Sequence, residues 1–519
     1  MIKNFKLLFL VSLTFVACSK NDDVTTDANS SDGLPLTSGS ANFSKYVALG
    51  NSLTSGYSDG ALFIEGQKVA YPALLAQQFA LIGGGDFTTP FMADNVGGFK
   101  VGGMVASGPR LYFNGSAPVP VSGTPSTEIL THLTGAYSNL GVPGAKSFHL
   151  LSNSYGNPAG IGTYANPYFV RFASSPSATV LGDAVAQSPT FFSLWIGNND
   201  VLSYATSGGT GINQTGNMNP ATYGSNDITD PTAFASVYNT LINGLTANGA
   251  KGVISNIPYV TSVPFFTTVP YNPIPGLPSS SAGQLNALFG EINSALASFG
   301  MPARFATLST TQNNPLLIKD ESLMNISSQI TAALMAPPYN YPSATAGFIG
   351  SIYGQARHAI KVEATTNTPA KIDYILLTAQ SVIGSTQSGA PSPFNTVGVS
   401  YPMQDSTTLT YSETAEVVTA TNAYNATIQS LASSKGLAFV DANSIMAQVA
   451  TKTGVTYNGF TMTSTYVTGN SFSLDGVHPS PKGYALIANK FIEAINATYG
   501  SNLKGPDLGN YRILFPASL

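Results

Sequence analysis

Apolar positions along the chain follow two alternating rhythms, and each predicts a different element. Lys45 to Leu49 (KYVAL), Thr190 to Ile196 (TFFSLWI), Gly252 to Ile257 (GVISNI) and Ala438 to Val440 read as strands. Of these, TFFSLWI is apolar on both faces, as a buried parallel strand would be. Other stretches carry helical spacing: Phe234, Val237, Leu241 and Leu245; Leu285, Leu288, Phe289, Ile292 and Leu296; and Val417, Thr421, Tyr424, Ile428 and Leu431. Gly249 stops the first of these and Gly436 the third. Pro72 to Leu81 reads as a helix with proline near its first turn, and Ser480 to Ile495 as one with Ser480 at the N-cap and Pro481 at the first helical position. Helix followed by strand recurs, so the chain predicts an α/β layer architecture.

Four loop-rich inserts separate these units, near residues 84–135, 201–230, 258–280 and 305–410. They are rich in Gly, Pro, Ser, Thr and Tyr, too long for simple connections, and expected to pack as lobes around the functional face. Within the last, Ile372 to Thr378 (IDYILLT) reads as an extra strand.

Composition narrows the function. Charged residues are 9% of the chain, against roughly 25% in an ordinary soluble domain, and the net charge of −4 comes without any basic run. Nucleic acid is therefore not an expected partner. An apolar content of 43% supplies enough surface for a core, which excludes disorder. The single cysteine rules out a disulfide framework and a thiolate metal site.

That cysteine falls at the amino terminus. Lys3 and Lys6 precede an apolar run from Leu7 to Ala17, too short to span a bilayer, so residues 1–17 read as a signal peptide. Phe15-Val16-Ala17-Cys18 resembles a bacterial lipobox, with Phe15 where leucine is usual. The resemblance implies lipidation of Cys18, contact with the membrane through that lipid alone, and an outer-membrane location. The following Ser19 to Asp23 resembles the acidic tether of cell-surface lipoproteins. Residues 18–43 read as a flexible tether, 44–500 as the folded domain and 501–519 as a carboxyl-terminal extension.

Four segments carry candidate chemistry. Gly50-Asn51-Ser52-Leu53 follows the first strand, where a serine can stand above the sheet edge; taken alone it is an ordinary turn. Asn139 to Ala145 is a turn whose two glycines could point N–H groups into a cleft. Gly197-Asn198-Asn199-Asp200 follows TFFSLWI and offers an amide donor for a developing oxyanion. Asp475-Gly476-Val477-His478 places a carboxylate three residues from an imidazole, as an orienting acceptor and a base require.

In this order the four blocks resemble those of the GDSL or SGNH hydrolases, a family of lipases and esterases, and the likeness covers most of residues 45–495. The resemblance implies a three-layer α/β/α sandwich around a parallel sheet, with no metal or cofactor. It further implies Ser52 as nucleophile, His478 as general base, Asp475 orienting it, and Ser52 N–H, Gly144 N–H and the Asn199 amide as the oxyanion hole. Asn51 departs from the aspartate usual before the serine, which puts the rate in doubt. The implied substrates are carboxylic esters, whether small molecules, lipids or acylated glycans. The apolar Val263-Pro264-Phe265-Phe266 suits an acyl groove; the 25 tyrosines suit an O-acetyl esterase acting on polysaccharide. A non-catalytic surface lipoprotein that binds glycans or a protein is the reading from another class.

Overall fold

The computed structural model describes residues 27–366 and 368–519. Five short strands, β1 (Tyr46–Gly50), β2 (Asn139–Gly141), β3 (Phe191–Trp195), β4 (Lys251–Ser255) and β5 (Ala438–Val440), form one parallel sheet in the order β5-β4-β3-β1-β2. Every residue of β1 and β3 is buried, so both faces of the sheet must be covered. Helices do this in two groups. Helices α2 (Tyr71–Ala80) and α10 (Pro481–Tyr499) pack on one another, and their Tyr71, Phe79, Phe491 and Tyr499 rings meet Phe191 and Trp195 of β3. Helix α8 (Tyr411–Lys435) packs against α3 (Asn199–Thr206), α4 (Pro231–Thr246), β4 and β5. The mixed α/β class read from periodicity holds, with strand and helix ends displaced by a few residues.

Local chemistry sets those ends. Ser480 caps α10, its hydroxyl accepting from Gly483 N at 2.9 Å, and Pro481 occupies the first turn. Thr410 and Glu413 form a capping box that starts α8, and Gly436 ends it in the left-handed conformation.

Several expectations change. Residues 27–43, expected to be part of a flexible tether, lie against the fold. Thr37 N donates to Asn502 Oδ1 at 2.8 Å, Ser30 bridges Leu503, and Ala41 and Phe43 are buried. Phe43 stacks on Phe79 with ring centroids 4.1 Å apart, an apolar contact that a solvated tether would forgo. Residues 1–17, read as a signal peptide, and Cys18 lie outside the described residues. Residues 501–519 also pack down: Leu503, Leu508 and Phe515 are buried, and Arg110 donates to the carbonyls of Pro516 and Ala517.

The insert near 305–410 is no collection of loops. With α5 (Ser279–Ser298), α6 (Ser327–Met335) and α7 (Ser343–Tyr353) it builds a lobe with its own core, where Phe289, Phe305 and Tyr353 pack with Ile292, Ile330 and Ile349. Helix α5, read as part of the layered fold, belongs to this lobe. The strand expected at 372–378 is broken. Asp373 sits between two-residue strands that pair with different partners, 371–372 with 361–362 and 374–375 with 408–409, and its carboxylate takes Arg357 and the N–H groups of Ile360 and Tyr411. The insert near 84–135 forms two hairpins, 99–107 and 111–120.

Truncating the stacked ring tests whether residues 27–43 belong to the folded body. Phe43→Ala should cost about 3–5 kcal/mol in urea unfolding; an unchanged midpoint would return this segment to the tether.

Candidate active site

Ser52 owes its position to the turn that ends β1. Asn51 Oδ1 accepts from Leu53 N at 3.0 Å, capping the single-turn helix α1 (Ser52–Ser55), and Asn51 Nδ2 donates to Asn198 Oδ1 at 3.3 Å. The acceptor that an aspartate would supply is thus present in Asn51. Helix α1 lies directly on β2, so closely that a Cβ on Gly141 would stand 2.3 Å from Ser55 N. Ser52 is buried except for 7% of its surface.

His478 reaches the same point from the other end of the chain. Its Nε2 lies 2.9 Å from Ser52 Oγ and its Nδ1 2.9 Å from Asp475 Oδ2. Gly476, at φ +73°, makes the turn that folds the carboxylate back on the imidazole. Asp475 Oδ1 accepts from Val477 N, His478 N and Ser473 Oγ, and Oδ2 accepts from Gly60 N at 2.9 Å. Burial would raise the Asp475 pKa, but the His478 imidazole and the backbone N–H groups outweigh it and hold the carboxyl at about 2. It is an anion at any pH where the imidazole can act as a base.

No family model, curated protein or solved structure matches this chain. The chemistry must therefore be argued from the geometry itself.

Asn199 opens α3 beside Ser52, and its Nδ2 spends one hydrogen on Ala145 O at 2.9 Å. An amide nitrogen carries two, so a second donor remains. Gly144 sits on an adjacent pinned turn: Val142 N donates to Gly50 O, Pro143 O accepts from Asn166 Nδ2, and Ala145 O is the Asn199 acceptor. Among the described residues neither Ser52 N–H nor Gly144 N–H has an acceptor. Ser52, Asn199 and His478 line one cavity; Gly144 is exposed next to it and is not part of its wall. Of the apolar stretch Val263 to Phe266, Val263 reaches the cavity, while Phe266 is buried in the main core.

The remaining histidines are engaged elsewhere. His149 and His358 each accept a backbone N–H through Nδ1, and burial, joined for His149 by Lys146, pushes both down to about 4. His132 Nδ1 lies 3.2 Å from Val170 O. A carboxyl cluster of Glu321, Asp405 and Glu413, with ligand oxygens within 4.8 Å, lies away from the cleft. Burial and like charge push Asp405 up to about 8 and Glu413 to about 7, so these groups share protons.

Supporting residues escaped the sequence reading. Asp200 accepts from Ser147 N and Ser147 Oγ, which fixes the turn after Gly144 to α3. Asp59, left-handed at φ +53°, ties the loop after Tyr57 to the one that carries Asp475 and His478: its N–H donates to Ser473 Oγ and its Oδ1 accepts from Leu474 N. The Asp59-Gly60 pair, a turn dipeptide, was the available signal.

Burial raises Asp59 to about 7; the Leu474 N–H opposes this and the Asp475 charge adds to it. The folded chain then holds a proton that the unfolded chain releases near pH 4, so stability falls as pH rises from about 4 to 7. Asp59→Asn keeps the acceptor for Leu474 and removes the titration. In urea melts at pH 5 and pH 8, the variant should lose about 2–3 kcal/mol of the parent's difference; identical slopes would mean Asp59 is ionised throughout.

Proposed function

We propose that this chain is a serine ester hydrolase of the GDSL or SGNH kind, a carboxylesterase or lipase carried on a lipid anchor at Cys18. The observation that carries the reading is the unbroken series of contacts from Ser52 Oγ through His478 to Asp475, 2.9 Å at each step. The two helix groups about the parallel sheet support a three-layer α/β/α sandwich as its architecture.

In this reading His478 Nε2 takes the Ser52 proton as Oγ forms a bond to the ester carbonyl carbon. Negative charge gathers on the carbonyl oxygen, where Ser52 N–H, Gly144 N–H and the free Asn199 amide hydrogen donate to it. Asp475 holds the imidazole in the tautomer that presents Nε2 and stabilises the imidazolium. The carbon–oxygen bond to the alcohol then breaks, with the proton passing from His478 to the leaving oxygen. Water then attacks the acyl carbon, its proton going to Nε2; the bond to Ser52 Oγ breaks, that proton passes from His478 to Oγ, and the acid leaves.

The reading is checked on p-nitrophenyl esters. Ser52→Ala should lose hydrolysis and labelling by a fluorophosphonate probe while melting like the parent, and Asn199→Ala should lower kcat by about 10²- to 10³-fold. A parent protein that the probe leaves unlabelled would point to the binding lipoprotein instead. For the anchor, Cys18→Ser should abolish incorporation of radiolabelled palmitate in cells; retained label would remove Cys18 as the attachment point.

A further inference from the structure

A cavity of about 130 Å³ opens beside Ser52 and His478, and its shape speaks to the substrate of the hydrolase reading on which this inference rests. Ser52, Asn199 and His478 supply polar groups where the cavity meets the candidate nucleophile, and Asn51, Asn198 and Ser471 also border it. Most of the remaining wall is apolar, formed among others by Leu53, Leu202, Val260, Met446 and Phe491. Val440 at the end of β5 also borders it, so the cavity reaches from the carboxyl end of β1 to that of β5. Lys490, at its margin, is paired with Glu493 at 2.8 Å and offers no free charge to a polar ligand.

A sugar would find few partners on such walls, since each buried hydroxyl needs a hydrogen bond to offset its desolvation. A hydrocarbon chain needs none. An apolar cavity of about 150 Å³ stays dry and accepts benzene, so about 130 Å³ has room for five or six carbons. We propose that this cavity is the acyl subsite and that the substrates are medium-chain acyl esters of about six or seven carbons, the carbonyl carbon at Ser52 and the other five or six in the cavity. The carbonyl lies at Ser52 and the tail runs toward Met446. An acetyl group would leave most of the cavity unfilled, and a palmitoyl tail would extend beyond it.

Each methylene taken from water into such a site is worth about fourfold in binding. Across p-nitrophenyl acetate, hexanoate, octanoate and palmitate, kcat/KM should therefore rise about 10²-fold from acetate to hexanoate and gain nothing beyond octanoate. Met446→Trp, from the helix Ala442–Val449, and Leu202→Trp, from α3, obstruct the cavity from different elements. Either should lower the hexanoate-to-acetate ratio at least tenfold, with thermal melts and fluorophosphonate labelling of Ser52 reporting that the fold and nucleophile persist. A flat profile, an acetate preference, or a ratio unmoved by both plugs in a protein whose Ser52 is labelled overturns the acyl subsite and leaves the hydrolase standing. Absence of both labelling and hydrolysis in the parent overturns the two together.

Discussion

Asp475 is the constraint on which the site depends. Its two largely covered oxygens receive hydrogens from Gly60, Ser473, Val477 and His478, drawn from both ends of the chain. A carboxylate out of water is costly unless its lone pairs are met, so the loop after Phe472 must close on the loop after Tyr57. That closure brings Ser52 and His478, 426 positions apart, within a hydrogen bond. Each partner also rides on a rigid element. Ser52 begins α1 at the end of β1, and His478 stands two residues before the cap of α10. Preorganisation of this kind leaves little reorganisation for a reaction to demand.

Sheet topology decides where the remaining groups can come from. Ser52 follows β1, Gly144 follows β2, Asn199 follows β3, Val260 follows β4 and Ala442 follows β5, all beyond carboxyl ends of parallel strands. In open parallel sheets that edge is where side chains of different strands converge on a ligand. It is also where long insertions disturb least, since loop-closure entropy grows only with the logarithm of length. The lobe between β4 and β5 uses this freedom and supplies its own apolar core. It is tied back at Asp373, which links Arg357 within the lobe to Tyr411 N at the start of α8.

What could be read from the sequence follows the same physics. Strand β3 announced itself because both of its faces are buried, and α10 because its cap and proline are local signals. The Ser52, Asn199, Asp475 and His478 motifs were legible as short chemical patterns, and the structure gathers them at one cavity edge or its hydrogen-bonded support. Strand β2 was read only as a turn, because three residues rich in asparagine and glycine carry no apolar rhythm; its burial comes from α1 and β1. Helices α6 and α7 were hidden in an insert judged by its Gly, Pro and Ser content, where tertiary packing around Tyr353 overrides weak propensity. The Thr410 and Glu413 capping box was available as a signal for α8 six residues earlier than the apolar stripe suggested.

Two neighbouring carboxyls give the scarcity of charge its meaning. Asp59 and Asp475 belong to the same pair of loops, yet their surroundings push them in opposite directions, to about 7 and about 2. The His478 imidazole and a full set of hydrogen bonds hold Asp475 down, whereas burial dominates at Asp59, which has one oxygen on Leu474 N and the other, Oδ2, buried without a partner. Below pH about 7 the pair therefore carries a single negative charge, on the Asp475 carboxylate that faces His478 Nδ1. Keeping Asp59 neutral lets it serve as an acceptor that joins the loops without altering the charge felt by the imidazole.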